Sequence, residues 1–336
     1  MIFVTGGAGF IGSQFVRDFL NRKLGKVIVF DSLTYAGNLD NLESVQQDPN
    51  YQFIRGDITS QGDVLGALPE QCDGIVHFAA ESHVDRSILS AAEFVRTNVL
   101  GTQVLLDAAR ARKVARFLHI STDEVGGSID EPSKFREGDP LVPSSPYAAS
   151  KAAAEHLVHA AHHTFGLDTV ITRTSNNYGP FQFPEKLLPL AISKAVSGEP
   201  IPVYGDGLQV RDWIHVEDNC RALQVVLTRG KAGGTYHIGG GNIQPNLDVL
   251  KTLLRILGKP ESLLTQVVDR LGHDRRYAVD WSKTHMELGW SPQIPFEDGL
   301  RSTVEWYREN QRWVDRARSG EYREVERRIY NSPTIA

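Results

Sequence analysis

The chain is 336 residues long, 41% hydrophobic and 23% charged, which excludes a disordered polymer and a membrane-embedded chain. Its formal net charge of -5, from 36 Lys+Arg against 41 Asp+Glu, offers no global attraction for nucleic acid. The two cysteines, Cys72 and Cys220, are too few for a secreted disulfide framework and suit a reducing cytosol. No apolar run approaches the roughly 20 residues of a membrane helix. Met1 leads straight into Ile2-Phe3-Val4 with no basic leader before it. The expectation is a cytoplasmic protein with a substantial core.

From the N-terminus, short apolar runs alternate with helical patterns. Residues 2–4, 27–30, 51–54, 74–78, 116–120 and 169–172 read as buried parallel strands, and 11–20, 94–111 and 147–164 read as helices between them. This alternation implies an α/β fold with a doubly wound parallel sheet of the Rossmann type. After the first strand comes Thr5-Gly6-Gly7-Ala8-Gly9-Phe10-Ile11-Gly12, with Gly6, Gly9 and Gly12 spaced G-x-x-G-x-x-G. Glycines there allow a tight turn and let pyrophosphate oxygens approach backbone N–H groups at a helix N-terminus. The pattern alone also fits a flexible turn. The preceding strand, the following helix and Asp31 at the end of the second strand favour a dinucleotide site. A carboxylate at Asp31 accepts from ribose hydroxyls and repels a 2′-phosphate, so NAD is expected over NADP. Gly56-Asp57-Ile58 after the third strand and Phe78-Ala79-Ala80 after the fourth fit the same pocket.

Thr122 ends the fifth strand, and Tyr147 and Lys151 follow in Ser145-Pro146-Tyr147-Ala148-Ala149-Ser150-Lys151. Four residues apart on a helix, Tyr147 and Lys151 share one face. A phenol with pKa near 10 is a poor base at neutral pH, and a nearby ammonium favours the phenolate. That ammonium can also hold the nicotinamide ribose. Asp123-Glu124, directly beside Thr122, could be a solvated turn, but two carboxyls there could also serve as an acid and a base together. Neighbouring residues on a straight strand face opposite ways, so the chain must turn there for both to reach one ligand.

Beyond residue 180 the rhythm breaks. A helix over 186–196 precedes a strand at 201–204; 211–216 and 235–238 read as strands that could rejoin the main sheet around a helix at 216–227. The expected division is a Rossmann domain from 1–180 and 209–243, and a smaller mixed α/β substrate-binding lobe from 181–208 and 244–336. The charged stretch from Arg316 to Arg328 reads as a solvated helix or tail. Trp306, Tyr307 and Trp313 read as packing residues of the small lobe. His156, His159, His162 and His163 share a helix without a completing carboxylate or cysteine, so no metal is expected.

These residues resemble the extended short-chain dehydrogenase/reductase family and, more narrowly, its dTDP-glucose 4,6-dehydratases. The matching stretches are the glycine loop, 32–38, 79–87, Ser121-Thr122-Asp123-Glu124-Val125, 175–180, Pro184-Glu185-Lys186-Leu187, Arg211-Asp212-Trp213 and 272–277. The resemblance implies NAD recycled within one turnover: C4 oxidation by Tyr147 with Thr122 and Lys151, C5/C6 elimination of water with Glu124 as base and Asp123 as acid, then C6 reduction. It implies cofactor contacts from Gly6, Gly9, Phe10, Ile11, Gly12, Asp31, Thr34, Gly37, Asp57 and Ile58. Ala79, Ala80, Ser82, Thr97, Tyr147, Lys151 and Asn176 complete that set. The implied substrate, a nucleotide-diphosphate sugar and most specifically dTDP-glucose, would touch Ser82, Thr122, Asn177, Lys186, Leu187, Pro202, Tyr204, Arg211, Asn246 and His273. Arg211 also makes sense as a bidentate diphosphate ligand, whereas Pro202 and Asn246 read equally well as a turn residue and a helix cap. A homodimer through the helices at 94–111 and 147–164 is likewise implied.

One departure stands out: the family follows Asp-Glu-Val with Tyr-Gly, and this chain has Gly126-Gly127. Loss of that aromatic should open space and loosen the backbone. The same Tyr, Lys and NAD would serve a nucleotide-sugar C4-epimerase, against which Asp123-Glu124 discriminates. A catalytically silent NAD-binding regulator is opposed by the intact Thr122, Tyr147 and Lys151.

Overall fold

The computed structural model describes residues 1–318; the rest of the charged stretch from Arg316 to Arg328 lies outside the described residues. In chain order the first half gives β1 (Ile2–Thr5), α1 (Phe10–Asn21), β2 (Val27–Asp31), β3 (Tyr51–Arg55), α2 (Gln61–Ala67), β4 (Gly74–His77), α3 (Val84–Leu89) and α4 (Ala91–Phe94). A π-helical turn (Val95–Leu100), α5 (Gly101–Ala111), β5 (Phe117–Thr122), α6 (Pro146–Phe165) and β6 (Thr169–Thr174) follow. The second half gives β7 (Asn176–Tyr178), α7 (Leu187–Ser197), β8 (Ile201–Tyr204), β9 (Val210–His215), α8 (Val216–Arg229) and β10 (Thr235–Ile238). It ends in β11 (Ile243–Pro245), α9 (Asn246–Leu257), β12 (Leu264–Val267), α10 (Ser282–Leu288), α11 (Phe296–Glu309) and α12 (Gln311–Ala317).

The main sheet is parallel throughout, in the order β10-β6-β5-β4-β1-β2-β3. Helices cover both faces, which is why β1, β2, β4, β5 and β6 are buried at every residue and read as unbroken runs. Phe15, Val16 and Phe19 of α1 pack with Leu223 and Val226 of α8 in one apolar layer. Leu105 of α5, Val158 and Ala161 of α6 and Val64 of α2 form the layer on the other side. A third core joins Leu188 and Ile192 of α7, Leu253 of α9, Leu300 and Val304 of α11 and Trp313 of α12. Among the described residues no helix is long and apolar enough to cross a membrane.

Two expectations are corrected. Only the 235–238 strand rejoins the main sheet; β9 lies in a separate mixed sheet, β11-β9-β7. The chain leaves the main sheet after β6, where Ser175 N–H donates to Ile238 O (2.9 Å), so β10 takes the place beside β6 and β7 becomes the parallel partner of β9. The helix expected over 94–111 is interrupted by the π-helical turn at Val95–Leu100. Its extra residue brings Asn98 inward: Asn98 Nδ2 donates to Glu81 O (3.0 Å) and Ser150 Oγ (2.8 Å), and Asn98 Oδ1 accepts from Glu81 N–H (2.8 Å). That ties the loop after β4 to the helix carrying Tyr147.

Candidate active site

The parallel sheet delivers the ends of β1, β2, β4, β5 and β6 to one edge, where they line a cavity of about 560 Å³. The glycine loop forms its floor. Gly6 adopts φ +68°, and a Cβ there would stand 2.4 Å from Ala79 N; a Cβ on Gly12 would stand 2.3 Å from Gly6 O. Both glycines are therefore required by close backbone approach. Gly9 caps α1 without any side-chain cap, leaving the first N–H groups of that helix for a ligand. Asp31 accepts from Ala8 N–H (3.0 Å) and Leu33 N–H (2.8 Å), and burial holds its carboxyl above the usual range. Each oxygen keeps a second lone pair for a ribose hydroxyl. A bare helix N-terminus, glycines packed without clearance and a carboxylate at the second strand fit a dinucleotide.

All the residues expected around the cofactor line this one cavity, Thr97 and Asn176 included, and so do Thr122, Asp123, Glu124, Asn177 and Lys186. The turn required at the carboxylate pair is present: a 3-10 turn spans Asp123–Gly126, capped by Thr122 Oγ1 accepting from Glu124 N–H (3.3 Å). Asp123 Oδ2 and Glu124 Oε2 are buried without a hydrogen-bond partner among the described residues. Burial, then the charge of Glu124, push the Asp123 carboxyl up to about 8.

Tyr147 and Lys151 emerge from the start of α6, fixed by Ser145 Oγ accepting from Ala148 N–H (3.1 Å) and by Pro146 in the first turn. Around the pair, burial acts on both groups. Lys151 Nζ donates to Ile120 O (2.6 Å) on β5, and burial lowers its pKa to about 8 against the upward pull of Glu155. The Tyr147 phenol is pushed well above its ordinary value by burial and by Glu124, with the Thr122 hydroxyl opposing. Burial and Glu124 thus oppose the phenolate, and Thr122 favours it.

The remaining substrate expectations fall into a second group. Arg211 is buried on β9, its guanidinium 4.2 Å from the ring centre of Tyr277 and close enough to Asp123 and Glu124 to feel their charge. Tyr204 donates to Asp85 Oδ2 (3.0 Å) and its ring meets that of His273 edge-on at 5.9 Å. Burial, then Arg270, lower the His273 imidazole to about 4. Asn246 opens α9 with Oδ1 buried and unpartnered among the described residues, while Pro202 pairs with Thr265 in the β8–β12 ladder and Leu187 packs on the third core. None of these six expected substrate residues lines the main cavity.

Sequence reasoning missed Arg270. Its Nη1 lies 3.5 Å from Asp85 Oδ1, its Nε is buried without a hydrogen-bond partner among the described residues, and Glu124 lies within its field. Its signal was available in the charged run Asp269-Arg270-Leu271-Gly272-His273-Asp274. Glu185 was quoted only as part of a motif: it accepts from Tyr35 Oη (3.2 Å), faces His83 Nε2 at 3.6 Å, and burial pushes it up to about 7.

The space expected to open beside Gly126 is filled. A Cβ at Gly126 would meet the Phe135 ring at 2.6 Å, and that ring is buried with Val125, Ala152 and Val279. Phe135 is held in turn by His237, stacked at 5.2 Å, and by its N–H donating to Ala278 O (2.8 Å). Gly127, at φ +72°, does need glycine. Among the described residues no three His, Cys, Asp or Glu side chains are grouped to hold a metal ion.

A glycine-loop dinucleotide cavity with a Tyr-x-x-x-Lys pair at its wall defines the extended short-chain dehydrogenase/reductase class. The profile of the family described as GDP-mannose 4,6 dehydratase matches residues 3–303. A dTDP-glucose 4,6-dehydratase of Xanthomonas campestris pv. campestris (strain B100) is 50% identical over 95% of this chain and 96% of its own length. The crystal structure of DesIV, a dTDP-glucose 4,6-dehydratase from Streptomyces venezuelae solved with NAD and TYD bound, superposes with a TM-score of 0.92 at 51% identity, covering 94% of this chain and 99% of that one. A Thermus thermophilus UDP-glucose 4-epimerase in complex with NAD is more distant, with a TM-score of 0.85 at 32% identity over 92% of this chain and 99% of that one. The chain belongs to the dTDP-glucose 4,6-dehydratase family.

Proposed function

We propose that this enzyme converts dTDP-glucose to dTDP-4-keto-6-deoxyglucose and water, with NAD as a resident cofactor. The observation that carries the reading is the pair of unpartnered carboxylate oxygens on Asp123 and Glu124, set in the same cavity as Tyr147 and Lys151. A C4-epimerase needs no such pair.

NAD would lie along the glycine loop with its ribose at Asp31, and when bound it supplies a reversible two-electron store. The chain's own residues move the protons. Tyr147, beside the Thr122 hydroxyl, takes the proton of the C4 hydroxyl as that carbon is oxidised, and Lys151 holds the nearby ribose. To accept that proton Tyr147 must first lose its own, a loss that burial and the charge of Glu124 oppose and the Thr122 hydroxyl favours. The C4 ketone acidifies the C5 hydrogen, which Glu124 removes. Asp123, kept protonated at neutral pH with a pKa about 8, delivers its proton to the C6 oxygen as water departs. Arg211 and Arg270 hold the diphosphate with charge-assisted hydrogen bonds. Ser82, Asn177, Lys186, Tyr204, Asn246 and His273 complete the sugar-nucleotide contacts, with Leu187 and Pro202 as supporting positions.

The Rossmann domain comprises 1–180 and 209–243, and the nucleotide-sugar lobe 181–208 and 244–336, of which 319–336 lie outside the described residues. The enzyme works as a cytoplasmic homodimer joined through α5, α6 and the π-helical turn. Exposed Val95, Leu100 and Phe165, at 55%, 49% and 54% accessibility, support that contact, and two buried free cysteines support a reducing compartment. Incubation with dTDP-glucose and UDP-glucose side by side tests the activity. Loss of one water from dTDP-glucose, with keto-sugar absorbance in alkali, is expected; a C4-inverted hexose or unchanged substrate would overturn it.

A further inference from the structure

Ala8 sits inside the glycine loop, and both its backbone groups are tied down. Its N–H donates to Asp31, the ribose-side carboxylate, and its carbonyl accepts from Asn38 N–H (3.0 Å) and Asn41 Nδ2 (2.9 Å). Asn41 is 2% exposed and has no contact with the cavity; its Oδ1 accepts from the indole Nε1–H of Trp313 at 2.9 Å, 272 residues further along the chain. The buried Arg17 of α1 donates to Asn41 O. A continuous path of hydrogen bonds thus runs from α12 to the loop that faces the pyrophosphate.

We propose that Trp313, acting through Asn41, is a positioning residue that holds the glycine loop in its dinucleotide-binding shape and so retains NAD between turnovers. The inference rests on the proposed role of that loop and goes beyond it by giving the C-terminal helix a part in cofactor retention. The chemistry makes retention matter. Electrons removed at C4 are returned at C6, so a cofactor that left in mid-cycle would strand an oxidised sugar. Neighbouring contacts reinforce the latch. Asp40, next to Asn41, pairs with Arg316 of α12 at 2.9 Å. Phe181 lies between the Arg17 guanidinium, 4.3 Å from its ring centre, and the Trp306 ring at 4.5 Å. Phe181 has φ +67°, a conformation a bulky residue keeps only where its surroundings impose it. It heads the loop carrying Glu185 and Lys186, so the same C-terminal cluster braces both the glycine loop and the substrate-side loop.

The test uses the holoenzyme and follows NAD release by its own absorbance after dilution, independent of dehydratase activity. Trp313→Phe keeps the packing ring and removes one hydrogen bond. It should speed NAD release about 2- to 10-fold, as expected for one neutral hydrogen bond, with kcat at saturating NAD unchanged and the KM for NAD raised. Asn41→Asp keeps the acceptor for the indole and removes the donor to Ala8, so it should accelerate release by itself. Combining the two should add less than the product of the single effects. Release at the wild-type rate in both single variants, or fully multiplicative effects, would overturn the proposal. A wild-type protein that holds no NAD would instead count against the dinucleotide reading itself.

Discussion

Glu155→Gln couples stability to chemistry more directly than any change in the cavity itself. Arg173 donates from Nε to both oxygens of Glu155 (3.1 and 3.0 Å) and from Nη2 to Oε2 (2.8 Å), with side-chain exposures of 4% and 0%. Removing one charge of such a pair leaves the other buried and uncompensated, which costs about 3–5 kcal/mol. For a domain of this size that lowers the melting temperature by on the order of 10 °C. Glu155 is also the group that raises the Lys151 pKa against burial, one helical turn away. Without it Lys151 falls below about 8, its ammonium is lost at lower pH, and NAD affinity should begin to drop at lower pH than in the wild type. Urea unfolding at pH 7 and NAD titrations from acid to alkaline pH read the two effects separately. A loss below about 1 kcal/mol, under the range for a broken buried pair, would refute the first half. An unmoved alkaline limb of NAD affinity would refute the second. The apolar double variant Glu155→Leu with Arg173→Met should recover most of the stability and none of the shift.

Asp123→Asn should flatten the pH dependence of stability. The folded carboxyl titrates near 8 and the unfolded one near 3.9, so its contribution is fully present below about 4 and is lost as pH rises through about 8. The variant should therefore gain on the wild type between pH 5 and 8 in urea midpoints while turnover falls about 10²- to 10⁴-fold; parallel stability profiles would contradict the assignment. Gly126→Tyr should destabilise by about 1–3 kcal/mol, the cost of overpacking, and lower turnover because the Phe135 ring already stands 2.6 Å from the new Cβ. Adding Phe135→Ala should restore both, and a single variant as active as wild type would show that the ring moves freely. Arg270→Met should raise the KM for dTDP-glucose about 10- to 100-fold, the weight of a lost charge-assisted contact, with a smaller change in kcat; equal loss in both would place Arg270 with the reacting atoms instead.

What the sequence disclosed was whatever local spacing encodes. The glycine loop, Asp31, the turn at Asp123-Glu124 and the Tyr147–Lys151 pair are each set by neighbours within a few residues, and all meet at one sheet edge. Relations set by tertiary partners stayed hidden. Strand 210–215 read like any strand bound for the main sheet, because its true partners are the three-residue strands β7 and β11. Gly126 looked like an opening because Phe135, nine positions on, returns to cover it. Helical spacing placed Lys151 on the face of Tyr147 but did not report that a carbonyl of β5 also accepts from its ammonium. Arg270 and Trp313 act across more than 140 residues, a distance no periodicity reports.

The central claim is that one pocket takes electrons from C4, expels water across C5 and C6, and returns the same electrons to C6. Turnover of dTDP-glucose deuterated at C4, without any added reductant, tests it most directly. Deuterium should appear in the C6 methyl group of a 4-keto product, with the enzyme's NAD unchanged in amount. Label washed into solvent, or retained at C4 of an inverted hexose, would contradict the account.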